Sequence, residues 1–281
     1  MKNSVYTKRI IAHRIGIASS VAAMMVGLTF LLWILSTLLI EGFGALLSVD
    51  FFTLDSPAPG SPGGVRNAIV GSFLMVGLST LISTPIGIMA GMYLSEYGEG
   101  NKFAAVTRFV VDIMLSAPSI AIGLFVYALV VANVGHFSGY AGSLALALIA
   151  VPVVVRTTDN MLRLVPSSLR EAAFALGAPR WKVAMLVRLR AVKAGIITGV
   201  LLALARVSGE TAPLLFTALS NQFYSTDMNG LMANLPVLIL RYAMSPYDDW
   251  RRLAWGSALL VTLIVLLLNV VARAVLRQKD S

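Results

Sequence analysis

Arg206 and Glu210 stand four residues apart inside the apolar run from Leu201 to Leu214. On a helix that spacing puts both side chains on one face. An arginine at the centre of a bilayer costs roughly 2.5–3.5 kcal/mol even on a lenient insertion scale, so it needs a partner or a water-filled space. Two readings stand open. Glu210 alone satisfies Arg206, and the pair is structural. Alternatively, the planar guanidinium fork takes a phosphate-like oxyanion while Glu210 holds it and keeps binding weak enough for release. Ser208, Thr211 and backbone groups freed near Pro213 would add hydrogen bonds. Arg156, at the end of the preceding apolar run, is either a second stop for an anion or a basic anchor at the membrane edge.

Other chemistry is excluded by composition. The chain has no cysteine, so disulfides, thiolate metal sites and cysteine nucleophiles are ruled out. His13 and His136 lie far apart at the ends of apolar runs, and no His, Asp and Glu cluster suggests a metal. No G-x-x-x-x-G-K-[ST] occurs, so any ATP-driven process needs a separate ATPase polypeptide. The chain itself is expected to bind no cofactor.

The elements that must position Arg206 are membrane helices. Hydrophobic residues make up 58% of the chain and charged residues 12%, far from soluble averages. About 20 apolar residues cross the hydrocarbon layer as a helix, whereas a β-barrel would show alternating segments of about 10 residues. The hydropathy pattern predicts spans at 16–40, 67–95, 106–132, 139–157, 192–218 and 253–274. Six spans put both termini on one side.

The basic residues then choose the side. Lys2, Lys8, Arg9, Arg14, Lys102, Arg108, Arg156, Arg163, Arg170, Arg180, Lys182, Arg188, Arg190, Lys193, Arg273, Arg277 and Lys279 share it; Arg66, Arg241, Arg251 and Arg252 lie opposite. This bias predicts cytoplasmic termini and a cytoplasmic 158–191 connection. The net charge of +9 therefore orients the protein and implies no nucleic acid. The first apolar run is too long for a signal-peptide core and lacks a small-residue cleavage site, so it reads as an uncleaved span.

Three regions follow: a tail, first span and external loop over 1–66, a helical core over 67–274, and a basic tail over 275–281. The Pro/Gly-rich stretch 56–64 must be a loop. Pro85 predicts a kink, and Ser116-Ala117-Pro118-Ser119 a kink or break. Small residues along 139–147 suit close helix packing. Gly195 and Gly199 form a GxxxG, a weak dimerisation signal. Residues 231–242 read as a short helix on or dipping into the membrane surface.

The cytoplasmic connection holds more than a linker. Ser168 and Glu171 fit a capping box. Gly177 and Pro179 are stop residues. Leu169, Ala172, Ala173 and Leu176 form one apolar stripe. Such a helix docks onto something outside the membrane or folds back on its own bundle.

Glu171-Ala172-Ala173-x-x-x-Gly177 resembles the EAA motif of ABC importer permeases. In that family the loop is a coupling helix seated in a cleft of the ATPase. The proline usual at the entry to the next span is replaced here at Leu189-Arg190. Arg206-x-x-Gly209-Glu210-Thr211-Ala212-Pro213-Leu214 and Val155-Arg156-Thr157-Thr158-x-Asn160-Met161-Leu162 resemble the PstA-type permeases of bacterial phosphate importers. The resemblance implies an all-α, six-span type I ABC importer (MetI-like) fold in the bacterial inner membrane. It also implies a phosphate path through Arg206, Glu210 and Arg156, and ATPase coupling through Glu171, Ala172, Ala173 and Gly177. Implied partners are a sister permease as heterodimer, two ATPase subunits carrying ATP and magnesium, and an external phosphate-binding protein. A sulfate or molybdate permease is the nearest alternative. An ion-coupled secondary transporter with Glu210 as proton relay is further off, because that class often carries internal repeats and the sequence shows none.

Overall fold

The computed structural model describes residues 2–98 and 100–277 and is helical throughout, with no strand among those residues. The expected basic tail, 275–281, falls partly outside them; its first three residues still belong to the last helix. The helices are α1 (Lys2–Leu46), α2 (Val49–Thr53), α3 (Arg66–Tyr97), α4 (Lys102–Ser116), α5 (Ser119–Val134) and α6 (Gly139–Arg163). They continue with α7 (Ser167–Ala175), a partly π-helical α8 (180–191), α9 (Lys193–Val207), α10 (Ala212–Thr217), α11 (Leu235–Ala243) and α12 (Asp248–Arg277).

Among the described residues, four helices are by themselves long and apolar enough to cross a membrane: α1, α3, α6 and α12. α4 and α5 qualify only together, bent by 106° at Ala117-Pro118. The proline accounts for the break: it removes an N–H and its ring crowds the preceding turn. Pro85, by contrast, lies within the unbroken α3. The apolar run expected as one span over 192–218 is also two pieces, α9 and α10, separated at 208–211. Gly209 weakens the helix there, and Pro213 cannot donate to the carbonyl four residues back.

α6 is the central post. Two thirds of its most apolar window is buried, against 6% for α1 and 11% for α12. Its small residues let neighbours approach. Gly142 meets Met75, while Gly87 and Gly91 of α3 meet Val154 and Thr158. All three contacts share one offset, so α3 and α6 run parallel. Gly195 and Gly199 of α9 pack on Met161 and Thr157 with the opposite sense. The GxxxG thus serves packing inside the chain. Thr198 donates to the Ala272 carbonyl at 3.1 Å, joining α9 to α12, and Gly42 of α1 abuts Trp255 and Leu259 of α12.

α11 is not a surface helix. Asn234 caps it by accepting from the Val237 N–H at 2.9 Å, and Leu235, Val237, Leu238 and Tyr242 are buried. Its apolar residues fill the space between α3 and α12. Asp55 ties two loops at one end of the bundle together, pairing with Arg66 at 3.0 Å and accepting from the Tyr224 N–H at 3.1 Å.

Candidate functional site

Arg206 lies one residue before the end of α9, about 20 Å along the axis from Lys193. After it the backbone tightens. Gly209 and Glu210 donate to the carbonyls three residues back, and the helix restarts as α10 at Ala212, with Thr211 at its N-cap. The break therefore places two helix ends beside the Arg206–Glu210 pair, and helix ends carry backbone groups without intrahelical partners.

The pair is loose. Arg206 Nε lies 4.0 Å from Glu210 Oε1, with the arginine side chain 43% exposed and the glutamate 17%. At that distance the two attract without a hydrogen bond. The neighbouring polar residues differ from one another. The Ser208 hydroxyl donates to the Leu204 carbonyl at 2.7 Å, so its proton is already used. Thr211 makes no side-chain cap. Arg156, on α6, faces Asp112 of α4 at 3.5 Å, both about half exposed. Because Gly199 sits against Thr157, Arg206 is about 10 Å further along the α9 axis than Arg156. The two arginines thus mark two levels of the bundle and share no direct contact among the described residues.

The EAA segment forms α7. Its start differs from the expected capping box. The N-cap is Pro166, Ser167 opens the helix and no side-chain cap bond forms. Proline at the N-cap has the extended backbone that the entry needs, which leaves Ser168 inside the first turn. The stop is as expected. Gly177 takes φ +78°, a conformation that costs glycine little. Gly177 donates to Phe174 and Ala178 to Ala173, the two bonds of a Schellman motif. Leu169, Ala172 and Leu176 are exposed, Leu176 at 89%. The stripe is not folded back onto the bundle.

Sequence reasoning overlooked a set of charges beside α7. Arg188, 7% exposed, pairs with Glu96 and donates to Ser95 Oγ and the Leu162 carbonyl. Asp159, 3% exposed, accepts from Arg108 at 3.2 Å and from Arg163 at 3.0 Å. These arginines read simply as cytoplasmic basic charge. The available signal was the position of Glu96 and Asp159, acids at the basic ends of apolar spans. The described residues hold no group of three or more His, Asp and Glu suited to a metal.

Comparison with known proteins agrees with this architecture. The family described as "Binding-protein-dependent transport system inner membrane component" matches residues 83–280. A Pasteurella multocida protein named phosphate transport system permease protein PstA is 56% identical over 281 residues, covering all of both chains. One of the same name from Haemophilus influenzae is 58% identical, covering 95% of this chain and 94% of its own. A Mycobacterium leprae PstA is 38% identical, covering 96% and 90%. Among solved structures, an inward-facing form of the MetNI methionine ABC transporter aligns with a TM-score of 0.58 at 22% identity, over 75% of this chain and 95% of that one. The last likeness concerns the fold alone.

Proposed function

Because the chain belongs to the binding-protein-dependent transport inner membrane components, and within them to the PstA-type permeases, we propose that it forms half of the translocation path of an ATP-driven inorganic phosphate importer. The observation that carries the site is Arg206. A permanent charge in an apolar layer is almost half exposed on a face this chain leaves open. Such a charge needs water, an anion or a second chain over it. A sister permease closing that face would enclose a wet path, with Arg206 and Arg156 as successive stops. Glu210 keeps Arg206 in reach of the path, Thr211 offers a hydroxyl, and Ser208 contributes chiefly to the break.

The chain would cross the inner membrane six times, with α4–α5 and α9–α10 each crossing in two pieces and both termini cytoplasmic. Residues 1–66 would form the first span and outer loop, 67–274 the permease core, and 275–281 the tail. ATP and magnesium would sit on two ATPase subunits. Glu171, Ala172, Ala173 and Gly177 would seat α7 in one of them, its exposed stripe supplying the contact. The loops linked through Asp55 would face a phosphate-binding protein.

Arg206→Ala tests the reading. Phosphate uptake by cells carrying that variant is expected to fall to background while the complex still assembles. Uptake at the normal rate would remove Arg206 from the path. Measuring sulfate beside phosphate in the unchanged transporter tests the cargo itself.

A further inference from the structure

The charges beside α7 enclose a cavity of about 350 Å³ between α7 and the basic end of the bundle. Arg108, Arg163, Arg170 and Arg188 line it, with Ser95 and Ser167. Glu96 and Asp159 neutralise part of this charge, leaving the set with a net positive excess. The four guanidinium groups differ in what they have left to give. Arg188 is held by Glu96, Ser95 and Leu162. Arg108 donates to Asp159 and to the Leu94 and Gly98 carbonyls. Arg163 uses only Nε, on Asp159, so its terminal nitrogens have no acceptor among the described residues. Arg170, on α7, has no acceptor at all among them. The first N–H groups of α7, by helix geometry, have no intrahelical acceptor either.

We propose that this cavity is a second oxyanion site, taking a phosphate-type group between Arg163 of α6 and Arg170 of α7. Arg108 and Arg188 are fixed by their own partners and supply field. Arg163 and Arg170 supply free donors suited to bidentate binding. The filled site would tie the α7 helix to the bundle through the ligand, because Arg170 is carried by α7 and Arg163 by α6. Occupancy would then hold the coupling segment in place when phosphate is abundant on that side. The oxyanion chemistry stands on these residues; treating cargo phosphate as its source rests on the function proposed above.

The test uses the membrane complex of both permeases and the two ATPase subunits, without the external binding protein, in nanodiscs of phosphatidylcholine and without nucleotide. Its permease carries Arg206→Ala and Arg156→Ala, which removes both stops proposed in the membrane. Equilibrium binding of radiolabelled inorganic phosphate is expected to remain. Adding Arg170→Ala is expected to weaken it about ten- to a hundredfold, the effect of losing a charged hydrogen-bonding partner. Arg170→Lys should restore part of it. Hydrogen exchange over 167–175 is expected to slow with phosphate only where Arg170 is present, a change that a merely structural arginine would not give. A parallel arm uses phosphatidylglycerol nanodiscs and native mass spectrometry. Retention of that lipid by the Arg170 form and its loss on Arg170→Ala would name a lipid headgroup as the source and uphold the site. Phosphate binding and lipid retention both indifferent to Arg170→Ala would overturn it, as they would if an ATPase carboxylate filled the cavity. Normal uptake by Arg206→Ala alone would instead sink the path reading and leave this result interpretable.

Discussion

Two groups of charges lie within one bundle and are held in opposite ways. At the basic end, Arg188 and Asp159 are almost wholly buried, and their hydrogen-bonding capacity is met by Glu96, Ser95, Arg108, Arg163 and helix-end carbonyls. Along the open face, Arg206 and Arg156 are each 43% exposed and sit 4.0 and 3.5 Å from their acids. A buried charge that loses its partner is strongly unfavourable, so such pairs are locked. A loosely paired, half-exposed charge can exchange its partner for a passing anion. On the function proposed above, the locked pairs serve architecture and the loose pairs serve traffic.

The largest expected effect breaks the locked set. Arg188→Met leaves Glu96, 14% exposed, without its cation, at a cost of about 3–5 kcal/mol. The yield of intact complex on size-exclusion chromatography should collapse, and adding Glu96→Leu should restore most of it. Recovery that failed would mean the pair does more than hold the fold. Next, Arg206→Lys keeps the charge but loses the planar fork. Phosphate uptake should drop about tenfold or more, with complex yield unchanged; equal uptake would make Arg206 a mere point charge. A smaller effect is expected at the stop of α7. Gly177→Ala strains a residue at φ +78° by about 1 kcal/mol. It should lower transport-coupled ATP hydrolysis in proteoliposomes more than complex yield, and the reverse order would count against a coupling role. Smallest is Ser208→Ala. Its hydroxyl bonds within its own helix, so uptake should stay within about twofold.

Much of this was readable from residue order. Apolar run length marked the major helices, Gly177 marked the end of α7, and i,i+4 spacing joined Arg206 to Glu210. These features depend on neighbours close in sequence. The start of α7 was misread because two adjacent serines and a proline compete for one cap, and backbone geometry favoured Pro166. The α9–α10 break was half visible in Gly209 and Pro213, yet continuous hydropathy masked it. α11 was read as lying on or dipping into the membrane surface; how deeply it is buried could not be read, because its neighbours come from α3 and α12. The Arg188–Glu96 pair was hidden for the same reason: its members are 92 residues apart, and a single sequence carries no distances.

Gly123 of α5 packs against Pro213 of α10, so the two interrupted helices touch close to their interruptions. α3 and α6 are continuous, and their glycine contacts fix one register; sliding one past the other would open every contact at once. The bundle thus resembles a stiff beam with two adjoining joints. Compliance is expected at 117–118 and 208–211, where the helices are interrupted, and a swing of either joint would press on the other. A force applied through α7 at the foot of α6 would reach Arg206 as a tilt of the beam taken up at those joints, with the helices between them unchanged in length.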